Sequence, residues 1–213
     1  MFMFEGSDRR KEEERIRQEG RLPPGQSLTL KFPVLHYGPV PSFNPAAWDF
    51  RIYGEVENEV RLTWDQFNML PRTKLKMDIH CVTKWSKFDT FWEGVSLKTL
   101  IDEGLIKLKP TANYVMQHAE YGFTVNLPVD VMLQQNFLLA THYDEKPLEP
   151  DHGFPLRGVV GYIPGHEEDE TPYFWKGAKW LRSLEFMKAD RRGFWEQAGY
   201  HNRADVWKEE RYV

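Results

Sequence analysis

The chain has 213 residues, 28 of them basic and 32 acidic, for a formal net charge of -4. That balance excludes a general electrostatic attraction to nucleic acid or an anionic membrane. A single cysteine excludes an internal disulfide framework and a four-thiolate zinc or iron–sulfur site.

Residues 1–21 read as a charged N-terminal arm, either a solvated helix or a tail, with Ile16 as the apolar anchor of its run from Asp8 to Glu19. Little of it is expected to enter the core. It lacks the apolar stretch of a secretory signal, and no segment approaches the roughly 20 apolar residues of a membrane span, so the cytoplasm is the expected compartment. Leu22-Pro23-Pro24-Gly25-Gln26 breaks the chain and opens one domain over residues 22–213.

Ser27 to Val34 predicts a strand leading into the Pro/Gly loop His36 to Pro41, and Trp48 to Val56 predicts another. Thr63-Trp64-Asp65-Gln66 has the spacing of a capping box and starts a short helix that ends before Pro71. A strand follows from Thr73 to Cys81. Ser96 caps a helix from Leu97 to Glu103, and Asn113–Ala119 pairs with Phe123–Leu127. Pro128 opens a short helix to Gln135, and Asn136–Tyr143 is an apolar strand closed by a turn at Asp144–Pro147. The loop Asp151–Arg157 enters a strand from Gly158 to Ile163. Pro164 to Thr171 is a strongly acidic excursion, read as a solvated loop. Lys179 to Met187 is the last strand. Many short strands with few short helices predict an α+β fold dominated by sheet. Neither a Gly-rich dinucleotide fingerprint nor a P-loop is present.

The stretch around Cys81 carries the chemical signal. In Thr73–Cys81 the odd positions are Thr, Leu, Met, Ile and Cys, and the even ones are Lys, Lys, Asp and His. A period of two puts Cys81 on an inward face at a strand end, with His80 on the opposite, polar face. Three readings stay open at this level: a small buried hydrophobe, a thiol nucleophile, and a soft metal ligand. A second cluster, His152 and Arg157 with Lys176, Gly177 and Lys179, joins cations to small residues that let backbone amides approach a phosphate or carboxylate. Aromatic residues make up 15% of the chain and include 8 Trp, a supply sufficient for pocket walls as well as core.

Four segments in this order resemble the sulfite-oxidase-like molybdopterin oxidoreductases. They are Leu35 to Pro41, Cys81 to Ser86 with Trp92-Glu93-Gly94-Val95, Asp151 to Arg157, and Trp175 to Trp180. Together they span most of residues 22–187. The tail motifs Gly193-Phe194-Trp195-Glu196 and Gly199-Tyr200-His201-Asn202 are similar to a short cytoplasmic branch of the family. The resemblance implies a sulfite-oxidase-type molybdopterin-binding domain without a haem or immunoglobulin-like domain. It also implies one molybdenum-molybdopterin per chain, with tungsten as the substitute, and Cys81 as the catalytic thiolate on the metal. It further implies that His36, His152 and Arg157 meet the pterin or its phosphate, and that Lys176, Gly177, Ala178 and Lys179 do so through backbone and charge. His118 matches a position on the cofactor side.

The implied activity is two-electron chemistry, oxygen-atom transfer on a small sulfur- or nitrogen-oxide substrate, with electrons exchanged with a separate partner. Sulfite oxidases place an arginine soon after the cysteine, whereas Val82-Thr83-Lys84-Trp85-Ser86 stands here, closer to the methionine-sulfoxide-reductase type. Sulfite oxidation and a cofactor-free binding protein retaining the fold are the alternatives.

Overall fold

The computed structural model describes residues 2–165 and 173–213. A charged helix, α1 (Phe2–Gln18), precedes the two-residue strand β1 (Ser27–Leu28). Then come β2 (Asp49–Gly54), β3 (Val60–Thr63), α2 (Trp64–Asn68), β4 (Thr73–Cys81), β5 (Trp85–Val95) and α3 (Leu97–Asp102). The second half contains β6 (Tyr114–Ala119), β7 (Thr124–Pro128), α4 (Val129–Leu133), β8 (Phe137–Tyr143), β9 (Lys146–Pro147), β10 (Arg157–Val160), β11 (Leu181–Met187) and α5 (Phe194–Gln197). The acidic residues His166–Glu170 lie outside the described residues.

The strands form two sheets. In the first, β5 is the hub: it pairs with β4 and β8 in antiparallel fashion and with β1 in parallel, while β10 and β9 extend β8. The second has the order β3-β2-β11-β6-β7. The main core lies between the sheets and the short helices, around buried residues such as Phe50, Phe67, Phe137 and Phe186. Full burial of each such ring is worth about 2–3 kcal/mol. Local signals act as the sequence implies. Thr63 accepts from the Gln66 amide while the Gln66 side chain accepts from the Thr63 amide, and Ser96 caps α3 by accepting from the Thr99 amide.

Three expectations need correction. The N-terminal run is helical and adheres to the domain: Ile16, Leu22 and Leu28 form a small buried cluster with Phe88 against it. The stretch Ser27–Val34 pairs only at Ser27 and Leu28, and Pro33, which has no N–H to donate, belongs to a loop instead. The half of β4 ending at Cys81 has no solvent face, because every residue from Met77 to Cys81 is buried. Arg21 covers its polar side with a two-pronged grip on Asp78, Nε to Oδ2 at 2.9 Å and Nη2 to Oδ1 at 2.6 Å. His80 pairs through Nδ1 with the Ser86 hydroxyl at 2.8 Å, and burial pulls its pKa down to about 3, so it is neutral at pH 7.

Candidate molybdenum cofactor cleft

Cys81 is the last residue of β4, facing Trp85 across the hairpin to β5. The chain reverses through Val82–Lys84, with Lys84 in the left-handed region at φ 73° and its amide donating to the Cys81 carbonyl at 2.9 Å. Gln26 donates to the same carbonyl at 2.9 Å and accepts from the Ser86 hydroxyl at 3.2 Å, so the N-terminal segment braces the cysteine from behind. The Thr83 hydroxyl donates to Sγ at 3.2 Å. Burial raises the thiol pKa, against opposing effects from Thr83 and from the charge of Arg211. A buried thiol of raised pKa is a poor free nucleophile, which weighs against one of the three readings of this cysteine.

Cys81 opens onto a cleft of about 290 Å³. Its walls are aromatic and include Phe32, Trp85, Phe174, Trp175, Trp180 and Trp195. His36, Arg157, Gly177 and Lys179 line it as well, so four separate segments of the sequence converge on one space. His36 is exposed, with Nδ1 3.0 Å from the Gly38 carbonyl and its ring edge-on to Trp180. His152 stacks on Phe32 at 4.1 Å and is held neutral, its pKa pulled to about 4 by burial and then by the charge of Lys179.

Arg157, at the start of β10, is buried among Phe32, Trp92 and Phe174, with its guanidinium carbon 5.3 to 5.8 Å from the three ring centroids. It donates to the carbonyls of His152 and Gly158, and burial lowers its pKa to about 10. Lys179 donates to the Asp151 carbonyl at 2.7 Å, and burial with the nearby Arg157 charge pulls its pKa to about 7. Among the described residues neither cation has a carboxylate partner within 4 Å; Arg157 is buried, and Lys179 is half-buried with only the more distant Asp151 opposing the fall in its pKa.

Several positions expected in the site have other partners. Lys176 points away from the cleft into a closed polar cluster. Its Nζ lies 2.7 Å from Glu196, as a close charge pair and not an aligned hydrogen bond. It also donates to Asn126 at 3.0 Å and to the Asn202 carbonyl at 2.7 Å. His118 belongs to the second sheet, 2.8 Å from Glu185 and stacked on Tyr53. The expected ligand-facing amides are engaged internally: Gly177 donates to the Phe174 carbonyl and Ala178 to the Gln117 side chain. Gly177 is required for packing, since a Cβ there would lie 2.2 Å from the Gly158 carbonyl oxygen.

Sequence reading missed Gln117 and Arg211. Gln117 is fully buried and clamps the Lys176–Lys179 loop through the Lys176 carbonyl and the Ala178 amide. A polar residue alternating within apolar β6 was the available signal. Arg211 lines the cleft from the tail, and nothing in its local sequence sets it apart from the neighbouring charged residues.

A bound cofactor is tested by what this site leaves unfilled. Trp85 Nε1 and Trp175 Nε1 on the cleft wall, and Nδ1 of His152 stacked on the lining Phe32, are buried without hydrogen-bond partners. Among the described residues no three His, Cys, Asp or Glu side chains converge. A metal held at Cys81 therefore needs most of its ligands from an organic cofactor, and a thiolate suits a soft metal. Cations without a carboxylate partner, orphaned ring nitrogens, flat aromatic walls and one thiol fit an anionic heterocyclic cofactor carrying a metal.

Residues 37–195 match the model of the oxidoreductase molybdopterin binding domain. The chain belongs to that family. It is 43% identical over 197 residues to the oxidoreductase YuiH of Bacillus subtilis, covering 92% of this chain and 94% of that one. It is 25% identical over 170 residues to the protein-methionine-sulfoxide reductase catalytic subunit MsrP of Campylobacter jejuni, covering 73% of this chain and 54% of MsrP. The sulfane dehydrogenase SoxCD of Paracoccus pantotrophus shares the fold, with a TM-score of 0.57 at 20% identity, covering 72% of this chain and 41% of that chain. The chain thus spans about half of MsrP and less than half of the SoxCD chain. Family membership makes it an oxidoreductase of the molybdopterin type, with the α+β fold of sulfite oxidases. No described helix is long and apolar enough to cross a membrane.

Proposed function

We propose that this oxidoreductase carries out oxygen-atom transfer on a small sulfur- or nitrogen-oxide substrate and exchanges electrons with a separate protein. The observation that carries the reading is the placement of the chain's one thiol on a cleft that also holds the buried Arg157 and the half-buried Lys179, neither with a carboxylate within 4 Å among the described residues. Bound molybdenum-molybdopterin would supply two-electron oxidation and reduction at the metal.

The chain's own residues would do the rest. Cys81 would hold the metal through its thiolate, with Thr83 donating to the sulfur and Gln26 fixing the backbone behind it. Arg157 and Lys179 would bind the cofactor's phosphate by charge-assisted hydrogen bonds. His36 and the neutral His152 stand at the same end and would offer ring nitrogens to the heterocycle. The aromatic walls would exclude water and orient flat groups. MsrP is named a catalytic subunit, which supports an external electron partner here. Tungsten in place of molybdenum stays within this reading.

The test is elemental analysis of protein made in a host that synthesises the cofactor, with identification of the released pterin. About one molybdenum or tungsten per chain is expected, and the absence of both metals would sink the proposal. Cys81→Ser should lower metal-dependent turnover by about 100-fold or more while the far-ultraviolet circular dichroism stays unchanged.

A further inference from the structure

The N-terminal arm lies outside residues 37–195 of the family match, yet two of its side chains close on the hairpin that carries Cys81. The first is Arg21. Beyond its two-pronged grip on Asp78 of β4, its Nη2 donates to Asp89 Oδ1 of β5 at 3.0 Å, so one guanidinium spans both strands. The Asp89 amide closes the same junction by donating to Asp78 Oδ1 at 3.0 Å. The grip falls on the irregular register between Met77 and Ile79, shortly before the thiol. A strand bends and twists at such a bulge, and a bidentate cation there limits the movement.

The second is Gln26, buried at the turn end of the same hairpin. Its amide nitrogen donates to the Cys81 carbonyl, and its amide oxygen accepts the Ser86 hydroxyl proton. With that proton directed at Gln26, the Ser86 oxygen accepts from His80 Nδ1. A directed and buried chain results, from His80 through Ser86 and Gln26 to the peptide of Cys81. The Cys81 carbonyl thus receives two donors, Lys84 from its own turn and Gln26 from the arm. The arm's backbone follows the side chain: the Ser27 amide donates to the Lys84 carbonyl at 3.2 Å, and the Thr29 amide to that of Ser86 at 2.9 Å.

We infer that Gln26 is a positioning residue for Cys81: it fixes the Cys81 peptide, and through it the direction in which the sulfur enters the cleft, while Arg21 holds the arm that carries it. The inference rests on Cys81 as the metal's thiolate ligand, and it adds to the site a segment that the family match does not contain. Among the described residues no three His, Cys, Asp or Glu side chains converge, so Cys81 stands as a single side-chain ligand. One bond leaves a metal free to swing about it unless the peptide behind the sulfur is held. Thr83 touches the sulfur itself, whereas Gln26 holds the carbonyl, so the two contacts restrain different bonds of one residue.

The test labels the chain's one thiol. Full-length protein from a host that lacks the cofactor is treated with iodoacetamide at fixed pH, and mass spectrometry follows the single adduct. Gln26→Leu removes both hydrogen bonds at similar volume and should label about tenfold faster than wild type. Ser86→Ala cuts the chain one bond away and should label faster by less, with the double variant no faster than Gln26→Leu alone. Thr63→Ala is the control for lost stability: it removes the α2 cap in the second sheet and should label at the wild-type rate. In cofactor-loaded, partly reduced protein the electron paramagnetic resonance spectrum of the metal should shift in Gln26→Leu and stay unchanged in Thr63→Ala. Wild-type labelling or an unshifted spectrum in Gln26→Leu overturns the inference, as does equal acceleration in Thr63→Ala. If Gln26→Leu does not fold, Ser86→Ala carries the test, and wild-type labelling there overturns it. Metal content of the loaded wild type is measured alongside. A metal-free wild type breaks the redox reading, while the labelling rates still decide whether Gln26 holds Cys81.

Discussion

Lys176 and Lys179 stand three residues apart in one loop and belong to opposite kinds of site. The first is enclosed with Glu196, Asn126 and Asn202: its ammonium donates to the Asn126 side chain and the Asn202 carbonyl and is paired by charge with Glu196. The second faces a cleft, shares its neighbourhood with Arg157 and has one carbonyl to bond. A satisfied buried cation serves the fold. An unsatisfied one costs stability in the empty protein, and that cost is offset only when an anion arrives. Residue type does not separate the two lysines; the enclosure of Lys176 with a counter-charge does.

The largest expected effect that would break this contrast is on Lys176. Lys176→Met strands a buried Glu196 carboxylate and should destabilise the protein by about 3–5 kcal/mol, read by urea unfolding. A change under about 1 kcal/mol would mean that the cluster is not the closed network described. Lys179→Met should do the reverse: melting of the cofactor-free protein holds or improves, while retained cofactor falls roughly tenfold, the value of one charge-assisted bond. Cofactor content equal to wild type would remove Lys179 from the site.

The smallest effect is in pH. The Lys179 pKa of about 7 in the folded protein lies below the lysine value of about 10.4 expected when unfolded. Between those values the unfolded chain binds more protons, so this group makes stability rise with pH. Its penalty is complete below pH 7 and gone above about 10.4. The difference in stability between wild type and Lys179→Met should therefore shrink as pH rises through that window. A flat difference would show that Lys179 titrates normally.

Much of the site was legible because the chemistry sits in compact local patterns. Alternation over Thr73–Cys81 placed the sulfur inward, and the loops around Arg157 and Lys179 announced cations beside small residues. What stayed hidden depends on pairing across the fold. Strand β5 shows no apolar alternation, because its inward positions include Ser86, Thr90 and Gly94, and a bulge between Met77 and Ile79 of β4 shifts its register. The burial of Asp78 and His80 follows from Arg21 and Ser86, which no local pattern links to them. Lys176 and Lys179 differ only through Glu196, twenty residues on, and Arg211 is one charge in a charged tail.

The aromatic lining has an optical consequence. Trp85, Trp175, Trp180 and Trp195 line the cleft, half of the chain's 8 Trp. Filling it with a conjugated ring system would quench a large share of the intrinsic indole emission, so the protein carries its own gauge of occupancy. Loading and release could then be followed in real time without a label, and independently of any substrate.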